Sequence, residues 1–137
     1  RLDDLVDWPK DTRVIRATWP LIPDFISEVE AMGFRFGTVI HPSASIARSA
    51  TIEPGAVINR LVAIGTGAVI GQHCLINRGC TIGHHTYLYN QVTLGPGVNI
   101  AGNCEIGNGV MLGMGCNVVN DVTIKPGQKI RASTLVL

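Results

Sequence analysis

The sequence predicts an all-β fold, a three-sided parallel β-helix over its last hundred residues, preceded by a short strand–helix–strand segment. Three observations predict it. Stepping by six from Ile40 to Val136 meets an Ile, Leu or Val at all 17 positions, without a slip. Two residues before most of these stands a small side chain: Ala44, Ala50, Ala56, Ala68, Cys74, Cys80, Thr86 and Cys104, with Val62, Val92 and Val98 among them. Three residues after many of them stands a glycine: Gly55, Gly67, Gly79, Gly97, Gly109, Gly115 and Gly127.

A helix with a 3.6-residue turn cannot keep a six-residue period on one face. Short strands joined by tight turns can, because side chains two apart share a strand face. The glycines supply the positive φ that a sharp corner needs. Three such rungs make an 18-residue coil, and successive coils stack at about 4.8 Å. The aliphatic column then fills the prism, and the small residues beside it prevent overpacking.

The register sorts the outward residues onto three faces. Val57, Leu75, Thr93 and Met111 align on the first, Ala63, Thr81, Asn99 and Asn117 on the second, and Thr51, Val69, Tyr87, Glu105 and Thr123 on the third. The first is the most apolar and is the expected contact surface of an oligomer. Cys74, Cys80, Cys104 and Cys116 all fall at the small inward position, so buried reduced thiols are expected rather than metal ligands or disulfides.

Composition excludes other classes. The 137 residues carry a formal net charge of +1 with scattered Lys and Arg, which offers no nucleic-acid-binding patch. Aromatic residues make up only 5% and no apolar run is long enough to span a membrane. A cytoplasmic location is the default expectation. The chain opens on RLDD, without Met, as a piece of a longer chain would. Residues 1–38 stand outside the six-step: 13–18 read as a strand, and Asp24 is placed to cap a helix over about 24–32 that Gly33 ends. Phe25, Ile26, Val29 and Met32 form its apolar face. No phosphate-cradling glycine loop occurs there.

The stretch GCTIGHHTYLYN (79–90) holds two adjacent histidines and no charged residue. Ile82 points inward, so His84 and His85 occupy a corner outside the core. One coil below His84 lies Thr66 and one coil above lies Gly102, whose missing side chain promises room for a ligand and an accessible N–H. His73 is expected at the surface or in an interface. Lys125, Lys129 and Arg131 cluster in the last coils as candidates for phosphate contact.

The hexapeptide pattern over 40–136 resembles the left-handed parallel β-helix superfamily, which implies the left hand and a homotrimer. HPSASI (41–46), GAVIGQHCLINRGCTIGHH (67–85) and LGPGVNIAGNCEIGNGVMLGMGCNVV (94–119) resemble, more narrowly, bacterial sugar acetyltransferases of the sialic-acid O-acetyltransferase and nucleotide-aminosugar N-acetyltransferase type. That resemblance implies acetyl-CoA as co-substrate, a sugar or nucleotide-sugar acceptor, and no metal. It places the catalytic histidine at His84, with His85 as a secondary candidate, and the oxyanion donor at the Gly102 N–H. Positions that contact acetyl-CoA in the family fall on Thr93, Met114 and Ala132. Residues 1–38 correspond to a shortened sugar-binding unit, and 39–137 to the acyltransferase domain.

The carboxylates that flank the family's histidine are replaced by Gly83 and His85. A structural or regulatory β-helix without full catalytic apparatus is therefore one alternative. A gamma-class carbonic anhydrase, with a three-histidine zinc site on the same fold, is the other. Histidines at 41, 73, 84 and 85 are separated by 32, 11 and 1, none a multiple of 18, so they do not stack as such a site requires.

Overall fold

The computed structural model describes residues 7–16 and 24–137. From Val39 to Val136 the chain is a left-handed parallel β-helix of about six turns, built from seventeen two-residue strands, β3 (Val39–Ile40) to β19 (Leu135–Val136). Every strand ends on a member of the six-step column. Each pairs in parallel with the strand one coil away: Ile64 with Ile82 and Ile82 with Ile100, Leu88 with Ile106, Leu94 with Leu112. Three sheets result, of six, six and five strands, and their outward residues are those expected for the three faces.

The column is buried from Ile58 through Ile124, with the small inward residues beside it in one continuous core. At the lower end Ile40 is 44% exposed, because no coil lies beneath it in the described chain. Thr86 is the one polar side chain in the buried part of the small column; its hydroxyl donates to the Ala101 carbonyl at 2.8 Å and accepts from the Cys104 N–H at 3.2 Å. The four cysteines are free and buried, and each S–H donates to a carbonyl of the next coil, Cys74 to Tyr89 and Cys80 to Gly95. Burial pushes the Cys74 thiol up to about 12 and the Cys80 thiol to about 11, so both are protonated at neutral pH.

The corners repeat as strictly as the column. From 55 to 133, every sixth residue has a positive φ, fourteen in succession. Seven are the glycines the sequence singles out; the others are Leu61, His73, His85, Gln91, Asn103, Asp121 and Ser133. Asn and Asp tolerate this conformation, whereas Leu61 and the two histidines hold it at a cost of about 1–2 kcal/mol each.

Ahead of the solenoid, β1 (Arg13–Val14) and β2 (Arg35–Phe36) pair in parallel across α1 (Phe25–Ala31), the expected strand–helix–strand. The strand expected over 13–18 is shorter, and its positions 17 and 18 lie outside the described residues. Ile26, Val29, Phe34 and Phe36 form a small separate core, with Phe25 and Met32 against it. Asp24 stands at the helix start but does not cap it with its side chain, since its own backbone is left-handed at φ 63°. Gly33, at φ 87°, ends the helix as expected. Among the described residues no helix is long and apolar enough to cross a membrane.

This unit packs on the solenoid through Arg16. Its guanidinium is buried, donating to the His73 carbonyl at 2.6 Å and to the Thr93 hydroxyl at 3.1 Å. Phe36 meets the His73 ring edge-on at 4.8 Å, and Glu30 lies 3.4 Å from its Nε2. Two expectations are corrected here. His73 is a buried contact within the chain, not a surface residue, because the N-terminal unit covers that corner. The first face is not left wholly free for a partner: Leu75 and Thr93 are already buried in the single chain.

Candidate active site

His84 and His85 stand at the vertex between the second and third faces, where β10 (Thr81–Ile82) turns into β11 (Tyr87–Leu88). The inward anchoring of Ile82 and Thr86 on either side leaves both imidazoles outside the core, and both are exposed. His85 carries the corner's left-handed φ, 53°. Its N–H donates to the Thr66 carbonyl below, while the His84 carbonyl accepts from Asn103 above. The vertex is thus tied to the coil on each side.

The ring of His84 turns upward and lies on Gly102. A Cβ at Gly102 would stand 2.6 Å from both Cε1 and Nε2, closer than any side chain tolerates. Gly102 is accordingly buried. The space expected above His84 is filled by the imidazole itself, a correction to the picture of an open pocket at the glycine. The N–H of Gly102 donates to none of the described residues. Thr86 holds that coil in place, since its hydroxyl bridges Ala101 and Cys104 on either side of Gly102–Asn103. Sequence reading placed Thr86 in the small column and gave it no role; its being the polar member among apolar neighbours was the available signal.

Gly83 fits the same close stacking. A Cβ there would come within 2.4–2.6 Å of the Ala101 carbonyl group and the Gly102 nitrogen. A side chain before His84 would require that backbone to shift. The polar partner of His84 is His85, with the two Nδ1 atoms 3.1 Å apart and the rings nearly perpendicular at 77°.

The three positions matched to acetyl-CoA contacts do not come together. Met114 and Ala132 do: with Asn77, Gly95 and Pro96 they line a mainly apolar cleft of about 310 Å³ at the vertex between the first and second faces. Thr93 is elsewhere, 1% exposed on the first face with its hydroxyl held by Arg16. Lys125, Lys129 and Arg131 are exposed. Within one chain, therefore, the His84–Gly102 pair and the Met114–Ala132 cleft occupy different vertices of the prism.

No family model and no curated protein matches the chain. Solved structures do. Perosamine N-acetyltransferase from Caulobacter crescentus, in complex with CoA and GDP-perosamine, is 31% identical and superposes with a TM-score of 0.79, covering 81% of this chain and 54% of that one. The acetyltransferase domain of PglB from Neisseria gonorrhoeae, in complex with acetyl coenzyme A, is 26% identical with a TM-score of 0.74, over 80% of this chain and 56% of that one. WeeI from Acinetobacter baumannii, 18% identical with a TM-score of 0.66 over 96% of this chain and 71% of its own, is similar in fold. The chain spans about half the length of the first two.

Proposed function

We propose that the chain is an acetyl-CoA-dependent acetyltransferase that acts on an amino or hydroxyl group of a sugar or nucleotide-sugar. The observation that carries this reading is His84: an exposed imidazole at a β-helix vertex, seated on a bare glycine whose N–H has no partner among the described residues. The similarity to acetyltransferases that bind CoA, one of them with GDP-perosamine, supports the same chemistry. The sialic-acid O-acetyltransferase and nucleotide-aminosugar N-acetyltransferase branch remains the assignment that the sequence motifs favour.

His84 is the general base. It takes a proton from the acceptor amine or hydroxyl as that group attacks the thioester carbonyl. The new C–N or C–O bond forms, the C–S bond breaks, and His84 returns its proton to the departing thiolate. The Gly102 N–H is the oxyanion donor. Acetyl-CoA lies along the cleft of Met114 and Ala132. Thr93 serves packing in this reading, because its hydroxyl is already engaged by Arg16.

Because the base and the cleft stand at different vertices, one chain does not complete the site. A homotrimer, in which one copy offers His84 to the cleft of the next, brings them together. The N-terminal unit, residues 1–38, is an acceptor-binding element beside the 39–137 acyltransferase domain. The test is release of CoA thiol from acetyl-CoA with a panel of amino sugars and nucleotide-linked amino sugars. Acceptor-dependent release is expected, together with about 2.7 kcal/mol of stabilisation at acetyl-CoA one hundredfold above its Kd. Neither release nor stabilisation would refute the reading.

A further inference from the structure

The two imidazoles of the vertex point in opposite directions along the solenoid. His84 lies on Gly102 in the coil above, and His85 lies on Gly67 in the coil below, where a Cβ would stand 2.8 Å from its Cδ2 and 3.1 Å from its Nε2. Between them the Nδ1 atoms meet at 3.1 Å. A neutral imidazole has one N–H and one lone pair. This contact therefore accommodates one proton, since two N–H groups would collide and two lone pairs would repel. One ring donates, the other accepts, and the two tautomers are opposed.

The role of His84 as base decides which one donates. The Nε2 end of His84 rests against Gly102. For that nitrogen to take the acceptor's proton its lone pair must be free, so the one proton of the Nδ1 contact belongs to His84. At the other end the Gly67 N–H is already given to the Ser49 hydroxyl at 3.1 Å, and the exposed Nε2–H of His85 is free to meet water.

We propose that His85 is the positioning residue of this site. Its Nδ1 accepts the Nδ1–H of His84, and that bond leaves the Nε2 lone pair of His84 as the base. The inference rests on the acetyl-transfer reading for the direction of that bond and its catalytic consequence, but the pairing stands on geometry alone. During transfer the acceptor proton passes to His84 Nε2, and the His84 Nδ1–H bond to neutral His85 becomes charge-assisted. When His84 gives that proton to the CoA thiolate, the pair returns to its starting state with no net change in His85. The neighbour thus fixes the tautomer.

Side-chain nitrogen-15 spectra of the full chain read the tautomers without any substrate. The expected result is His84 protonated on Nδ1 and bare on Nε2, turning to the Nε2–H form in His85→Ala. A wild-type His84 protonated on Nε2, or one unmoved by His85→Ala, overturns the proposal. Kinetics supply the second arm. His85→Ala is expected to lose about 10- to 100-fold in kcat with the KM for acetyl-CoA unchanged. His85→Asn, which suits the left-handed corner and offers an acceptor oxygen, restores most of that loss. Equal losses in the two variants, or a loss in KM alone, also overturn it. If the tautomer responds as expected but neither wild type nor variant transfers acetyl, the acetyl-transfer reading falls and the pairing stands.

Discussion

The imidazole of His84 rests on Gly102 so closely that a single methyl group at 102 would stand 2.6 Å from two of its ring atoms. The atoms in the way are the far end of a rotatable side chain rather than backbone. Gly102→Ala is therefore expected to push the ring aside while the coil survives. The melting temperature should change little, while kcat falls about 100-fold, the cost typical of a displacement near 1 Å at a reacting group. Crystallography of the variant would show the ring displaced.

Thr86 has a cost of a different kind. Its hydroxyl satisfies a carbonyl and an N–H that flank the Gly102 corner inside the solenoid. Thr86→Val keeps the shape and removes both bonds, leaving two buried backbone groups unpaired. A loss of about 1–3 kcal/mol is expected in denaturant unfolding. Faster hydrogen exchange at Cys104 should accompany it, because that amide loses its acceptor.

The docking of the N-terminal unit should depend on pH through His73. Burial holds this imidazole below its ordinary value, an effect that outweighs the attraction of Glu30, and Arg16 acts in the same direction as burial. The undocked form consequently binds a proton more readily than the docked one. Docking is at full strength above about pH 6.5, the ordinary histidine value, and weakens as pH falls below it. Protection factors of the α1 amides should drop between pH 7.5 and 5.5 more than those of the solenoid. His73→Asn, which tolerates the left-handed backbone, should flatten that difference.

How much of this was legible in the sequence depends on the kind of contact. The Ile82 column, the faces and the glycine corners could be read because they obey one period, and a period needs no knowledge of distant packing. The same period marks Leu61, His73 and His85 as corner residues, but not that their backbones are left-handed, since most side chains avoid that conformation. The fate of His73 was hidden for another reason. Arg16, Glu30 and Phe36 come from a segment outside the repeat, and no spacing relates them to coil positions. Likewise, bareness at Gly102 was visible, but the ring filling it was not, because that depends on how His84 rotates. Met114 and Ala132 lie 18 apart, so their sharing a cleft follows directly from the coil length.

The central claim is that His84 is the base for acetyl transfer, and one measurement addresses it most directly. Steady-state CoA release is compared between wild type and His84→Ala, with acetyl-CoA binding measured on both. The account predicts a kcat lower by about 100- to 10,000-fold with an unchanged acetyl-CoA Kd. Turnover by His84→Ala equal to that of wild type would contradict it.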